Sequence, residues 1–204
     1  MDLITQIALA AGLAWASGLR LYAVLFICGL LQRLGYLELP GQLALLQHDW
    51  VLWASGLMLV GEFVADKVPV FDSFWDALQT FVRLPGGALL AWGVFADQGP
   101  AAQLAAGILG GTIVSGTHLT KAGTRALINH SPEPFSNWAA SFSEDGLLIA
   151  GLWLAIVHPW LFLGLLVLFL CLVAWLLPKL WRLMREVWRR LRPRRAAAAG
   201  EGAR

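Results

Sequence analysis

The sequence predicts an all-α, polytopic transmembrane helical bundle of about six spans, and three observations carry that prediction. The 204 residues are 58% hydrophobic and only 14% charged, whereas a soluble domain carries about 25% charged residues. Mean hydropathy is +0.67. Of the 15 Lys and Arg residues, 9 lie at or beyond Lys179, leaving 6 for the first 178 positions. Several uninterrupted apolar runs also approach or exceed the roughly 20 residues that carry a helix across a bilayer core. These figures exclude a soluble enzyme, a disordered regulator and a nucleic-acid-binding domain with a basic body.

The first apolar stretch runs from about Leu3 to Leu31. As a helix it would reach roughly 43 Å, longer than a hydrocarbon core of about 30 Å. Arg20 lies inside it, just after Ser17-Gly18, so the helix is expected either to tilt strongly or to break near Gly18. Leu39-Pro40-Gly41 signals a turn before a second span from Trp50 to Ala65. A dense polar stretch, Gly61 to Asp76, follows. Pro69 should stop the second helix, and Asp72 or Ser73 can cap the third.

The third element extends to about Phe95, with Pro85-Gly86-Gly87 predicted to interrupt it or make it re-entrant. Asp97-Gln98-Gly99-Pro100 is a turn. A fourth helix covers Ala101 to Ile128, and Gly107, Gly110, Gly111, Ser115 and Gly116 allow close helix contact within a bilayer. Asn129 to Pro134 reads as a loop. The fifth element, Ser136 to His158, carries Glu144-Asp145-Gly146 in its middle, a second predicted interruption. The sixth, Trp160 to Leu177, is an uncharged anchoring span.

Two regions result: a transmembrane helical domain over 1–178, and a basic cytoplasmic tail over 179–204 whose Ala-rich end is expected to be disordered. Lys179, Arg182, Arg185, Arg189 and Arg190 alternate with Trp181, Met184, Val187, Trp188 and Leu191. That pattern suits an amphipathic helix lying on anionic lipids, or a continuation of the last span. A basic cluster beside the last span belongs in the cytoplasm, and six spans then put the N-terminus there too. The start of the chain has no positive n-region or cleavage site, so no removable signal peptide is expected. Cys28 and Cys171 sit in apolar runs and read as packing residues. Most tryptophans, Trp50, Trp53 and Trp160 among them, fall near span ends, where amphipathic rings favour the interface.

Ser17-Gly18-Leu19-Arg20 aligns with Ser115-Gly116-Thr117-His118, and Trp75 to Gly87 has a looser echo in Trp138 to Gly146. The first and fourth helices would then run antiparallel, as in inverted-repeat transporters whose sites lie near the midplane. Resemblance by small-residue composition alone is the other explanation.

Charges at membrane depth are costly and normally face a bundle interior with partners. Those here are Arg20, Glu62, Asp66, Lys67, Asp72, Asp76, Arg83, His118, Lys121, Arg125, Glu144 and Asp145. Glu62 and Asp66 are four apart, as are Asp72 and Asp76, so each pair shares a helical face. Such carboxylates can hold a cation or accept protons, or they can neutralise Arg20, Lys67 and Arg83 in a structural network. The ion or substrate pathway is accordingly assigned to Arg20, Glu62, Asp66, Lys67, Asp72, Asp76, Arg83 and His118. No catalytic residue, metal-ligand set or cofactor motif is assigned.

A rival reading is an intramembrane phosphate-ester enzyme. Ser115-Gly116-Thr117-His118 with Arg125 and His130 is similar in residue type to elements of membrane lipid phosphatases, where His attacks phosphorus and Arg holds its oxygens. However, Val114 stands where Pro is needed, a Thr is inserted before the His, and Leu84 separates Arg83 from Pro85. The acidic run of CDP-alcohol phosphotransferases is absent. A non-catalytic membrane scaffold is the third reading. A monomer of six short helices leaves little room for an enclosed path, which favours a homodimer.

The run Ser17-Gly18-Leu19-Arg20, then Glu62, Asp66-Lys67, Pro69, Asp72 and Asp76, then Arg83, Pro85 and Gly87-Ala88, resembles the bacterial membrane family known as domain of unknown function 4126. The resemblance covers roughly residues 5 to 160. Its pattern has Arg directly before Pro, and Leu84 intervenes here. It implies an integral-membrane protein with this polar signature and supplies no activity; the bacterial inner membrane is the expected location.

Overall fold

The computed structural model describes residues 1–68, 71–128 and 134–201, with 72, 73, 126, 127, 134, 177, 180, 181, 183, 184 and 186–201 described by backbone alone. They form α1 (Leu3–Arg33), α2 (Asp49–Ala65), α3 (Phe71–Val94), α4 (Pro100–Ile128), α5 (Pro134–Val157) and α6 (Pro159–Glu201). Two short 3-10 helices, Gly41–Gln47 and Ala96–Gln98, sit in the connections. No strand occurs among the described residues. The chain separates into two compact units, Met1–Leu165 and Leu166–Arg204.

The first unit is built around α1, which is apolar on every side from Ala8 to Ala14 and buried there. A helix without a polar face belongs inside a bundle, and α2, α3, α4 and α5 all pack against it. The expected break falls at Arg20, whose φ of −149° and ψ of 90° leave the helical region. Two local causes precede it. Ser17 Oγ donates to the Leu13 carbonyl at 2.6 Å, a back-bond that bends helices, and Gly18 weakens the helix intrinsically.

Gly18 also sets how closely α1 meets α4. A Cβ there would stand 2.6 Å from Thr117 Cβ and 2.8 Å from the Val114 carbonyl oxygen. Gly87 does the same for α3, facing Ser17 and Val114. The predicted interruption at Pro85-Gly86-Gly87 is therefore not a break: α3 runs continuously through Pro85. Gly86 and Gly87 instead admit Leu21, Ser17 and Val114 to the helix surface. Likewise α5 is one helix through Glu144-Asp145-Gly146, because its carboxylates meet cations on α1 and α4. The α3 helix begins at Phe71, a residue ahead of the expected caps. Pro69 and the side chains of Asp72 and Ser73 lie outside the described residues.

The exterior is apolar. Phe81 is 82% exposed and Leu57 74% exposed, while Arg20, Arg83 and Glu62 are fully buried. That partition is the reverse of a water-soluble domain and suits a hydrocarbon surround. Among the described residues three helices are long and apolar enough to cross a membrane: Leu3–Arg33, Phe135–Val157 and Pro159–Leu176. A fourth is added if Gly41–Gln47 and Asp49–Ala65, bent by 67°, act as one span. Both α3 and α4 have the length, but Asp76, Arg83, Lys121 and Arg125 dilute their hydropathy.

In the second unit the helix continues past Pro178 with exposed Val167, Leu168, Leu172 and Trp175. Lys179 Nζ lies 3.1 Å over the Trp175 ring. Cys171 is exposed and Cys28 buried, and both are free thiols.

The α1–α4 crossing generates a test. Gly18→Ala should destabilise the protein by about 1–3 kcal/mol through overpacking. Gly123→Ala, where a Cβ meets nothing within 4 Å, should be neutral or stabilise by up to about 1 kcal/mol. Thermal unfolding in detergent, followed by circular dichroism, compares them; equal effects would contradict the close crossing.

Candidate functional site: a buried charge network across five helices

The break in α1 is the seed of the site. Where the helix leaves its hydrogen-bonding pattern at Arg20, the Leu19 carbonyl accepts a hydrogen bond from Lys121 Nζ of α4 at 3.0 Å. Lys121 in turn lies among four carboxylates: Glu144 at 3.3 Å, Asp76 at 3.7 Å, Glu62 at 3.8 Å and Asp66 at 3.9 Å. These come from α2, α3 and α5.

Each guanidinium ties further elements together. Arg20 pairs with Asp66 at 2.6 Å and Asp145 at 2.7 Å, and donates to Ser141 Oγ at 2.7 Å. Arg83 pairs with Asp76 at 2.7 Å and, through its other terminal nitrogen, with Glu62. Arg125 grips Glu144 with two parallel bonds of 2.9 and 3.0 Å, the fork geometry that makes Arg–carboxylate pairs strong. Its remaining terminal nitrogen donates to the Asn137 carbonyl at 3.2 Å and the Asp66 carbonyl at 3.4 Å. Arg125 thereby satisfies a backbone acceptor where α2 ends.

Of the residues assigned from sequence, Arg20, Glu62, Asp66, Asp76, Arg83 and His118 converge here and are buried. His118 contacts Thr80 Oγ1 at 2.6 Å and Arg83 Nη1 at 3.3 Å. Lys67 goes elsewhere: its ammonium donates to the Phe63 carbonyl at 3.1 Å and lies over the Phe63 ring. The side chain of Asp72 and all of His130 lie outside the described residues. Lys121, Arg125, Glu144 and Asp145 were legible only as intramembrane charges and join the centre of the network. Lys121 and Arg125 are four apart on α4, the same spacing as Glu62 and Asp66 on α2, and that complementarity was the available signal.

The network has an accessible end. A groove of about 370 Å³ between α1, α2 and α5 is walled by Ile27, Leu59, Phe63 and Ile149, with Arg20 and Asp145 in its lining. The Asp145 side chain is 34% exposed, whereas that of Arg20, its partner, is 0% exposed. No metal-holding cluster of His, Cys, Asp and Glu occurs among the described residues. Of the residues of the phosphate-ester reading, Arg125 pairs with Glu144, His118 contacts Thr80 and Arg83, and His130 lies outside the described residues.

An all-helical chain with an apolar exterior and charges gathered inside is the class this fold and site define. Residues 7–179 match the profile of the family described as domain of unknown function (DUF4126), and the chain belongs to that family. The match extends past residue 160 to take in the whole of the last apolar span, Pro159–Leu176. No curated protein and no solved structure matches the chain.

Arg20→Gln should lower stability by about 3–5 kcal/mol, because it leaves Asp66 and Asp145 short of their shared cation. Adding Asp145→Asn should recover part of that loss, and a double-mutant cycle on melting in detergent measures the coupling. Additive effects would mean that the Arg20–Asp145 pair is not formed.

Proposed function

We propose that this chain is a multi-pass protein of the bacterial inner (plasma) membrane acting as a small transporter- or channel-like protein, with the buried network as an intramembrane site for a proton or cation. The observation that carries this reading is the continuity between the groove and the network. Asp145 is reachable from the groove and pairs with buried Arg20 at 2.7 Å, and Arg20 pairs onward with buried Asp66 at 2.6 Å. Neutralising a group at one end changes the field on every neighbour in a low-dielectric interior, so charge movement at Asp145 is felt at Asp66 and Lys121.

Six spans follow if α3 and α4 cross with their charges turned onto α1, α2 and α5. What supports this is the burial of Asp76, Arg83, Lys121 and Arg125. An inverted repeat is supported by the approach of Gly18 to Thr117 and His118, which brings the two aligned segments together. The basic tail puts the C-terminus in the cytoplasm, where Lys179, Arg182 and Arg185, all exposed, meet anionic lipids; Arg189 and Arg190 lie beyond the described side chains. Two copies would enlarge the room for a path.

A second reading, a non-transporting scaffold, is favoured by one observation: Arg20, Arg83, Lys121 and Arg125 each have a carboxylate within 4 Å. Flux separates the two. Proteoliposomes carrying the purified protein and an internal pH dye should dissipate an imposed proton, sodium or potassium gradient. Asp145→Asn should abolish that flux while the protein stays folded. If wild-type vesicles hold all three gradients, and the substitution changes only the melting temperature, the scaffold reading stands instead.

A further inference from the structure

The hydrogen bonds around His118 define its protonation, and with it the charge of the whole network. Thr80 Oγ1 spends its proton on the Asp76 carbonyl at 2.9 Å. In its 2.6 Å contact with His118 Nε2 the hydroxyl must therefore accept, so Nε2 bears a hydrogen. Arg83 Nη1 can only donate, so His118 Nδ1, 3.3 Å away, must be a bare acceptor. His118 is thus neutral.

The described members of the network are then five carboxylates, Glu62, Asp66, Asp76, Glu144 and Asp145, against four cations, Arg20, Arg83, Lys121 and Arg125. One negative charge is in excess. Lys67 interacts electrostatically with Asp66 and Asp145, but its ammonium goes to the Phe63 carbonyl and ring and pairs with neither Glu62 nor Asp76. An uncompensated buried charge is relieved most simply by taking up a proton.

The carboxylates are not equal candidates for that proton. Asp66 meets Arg20, Arg125 and Lys121. Glu144 is forked by Arg125 and approached by Lys121. Asp145 is partly exposed and pairs with Arg20. Glu62 and Asp76 share a single guanidinium, Arg83, and a single ammonium, Lys121, and both use one oxygen for both cations. Their other oxygens, Glu62 Oε2 and Asp76 Oδ2, are buried without a hydrogen-bond partner, as are both oxygens of Asp66, which three cations surround instead. Two neighbouring carboxylates that share one guanidinium and an ammonium also claimed by Asp66 and Glu144 do not both stay ionised. Glu62 is completely buried and sits in the last turn of α2, where the negative end of the helix opposes a further negative charge. Asp76 lies nearer the positive end of α3.

We propose that Glu62 carries a proton on Oε2 at neutral pH and is the proton-binding carboxylate of the network. This rests on the transporter-like reading only for its use: it names the proton as the ion and Glu62 as its seat. The charged groups that act on Glu62 are Arg20 from α1, Asp66 at the end of α2, Arg83 from α3 and Lys121 from α4, with Asp76 and Glu144 reaching it through their shared Lys121.

Infrared spectroscopy of the full chain in lipid nanodiscs at neutral pH tests this. The wild type should show a protonated-carboxyl C=O band that shifts on exchange into heavy water, and titration to alkaline pH should remove it. Glu62→Gln, which mimics the protonated acid, should lack the band and melt close to the wild type. Asp76→Asn should retain the band, and Asp66→Asn should melt well below both. The proposal is overturned if the wild type has no such band, if the band survives in Glu62→Gln, or if Glu62→Gln melts as low as Asp66→Asn. Proton flux in proteoliposomes is read separately. A Glu62 band without flux leaves this site in place and removes the transporter reading, and flux without the band does the reverse.

Discussion

Everything in the first unit depends on the interruption of α1 at Arg20. A continuous helix would keep its carbonyl groups for itself and would carry Arg20 out on a regular face. The break releases the Leu19 carbonyl to Lys121 and lets the Arg20 guanidinium reach Asp66 on α2 and Asp145 on α5. Lys121, held there, becomes the point on which four carboxylates converge. The interior cannot be assembled one helix at a time, because each charge is tolerable only when its partners arrive from other helices.

Close backbone approach is the second condition. Short ion pairs across helices require axes near enough for the side chains to meet, and the small residues supply that. Gly18 lies against Thr117 and Val114, Gly110 against Ala91, and Gly87 against Ser17 and Val114. In hydrocarbon there is little hydrophobic gain from bringing apolar helices together, so close packing and polar contacts provide the attraction. Small residues and buried charges are thus two halves of one device. The exposed Phe81, Leu57 and Trp153 face outward where such a surround accepts them.

Much of this was legible in the sequence, and the failures have identifiable physics. Arg20 after Ser17-Gly18 signals a tilt or a break, of which the structure shows the break, and the four-residue spacing of Glu62 and Asp66 puts both carboxylates on one buried face. Pro85-Gly86-Gly87 reads as an interruption in the sequence, yet the helix runs through it. Proline removes one donor without ending a helix that neighbours support, and the adjacent glycines serve contact with Leu21, Ser17 and Val114. Glu144-Asp145-Gly146 was misread for a similar reason. Two adjacent acids look helix-breaking in isolation but are helix-compatible once Arg125 and Arg20 take one each. Lys67, adjacent in sequence to Asp66, lies in the turn beyond α2 and folds back onto the Phe63 carbonyl and ring.

Read alone, the sequence settles the helical, apolar character of the chain, the charges expected inside it, and the neighbourhood of Gly18 as the place where its first helix tilts or breaks. Those follow from composition and local propensity, which need no partner to express themselves. Which cation meets which carboxylate, and that Lys121 and Arg125 belong at the centre, are settled by the packing of the helices against one another. Those depend on distances of a few ångströms between helices remote in the chain, and at such distances Coulomb energy and hydrogen-bond direction change too steeply for spacing along one helix to foretell them.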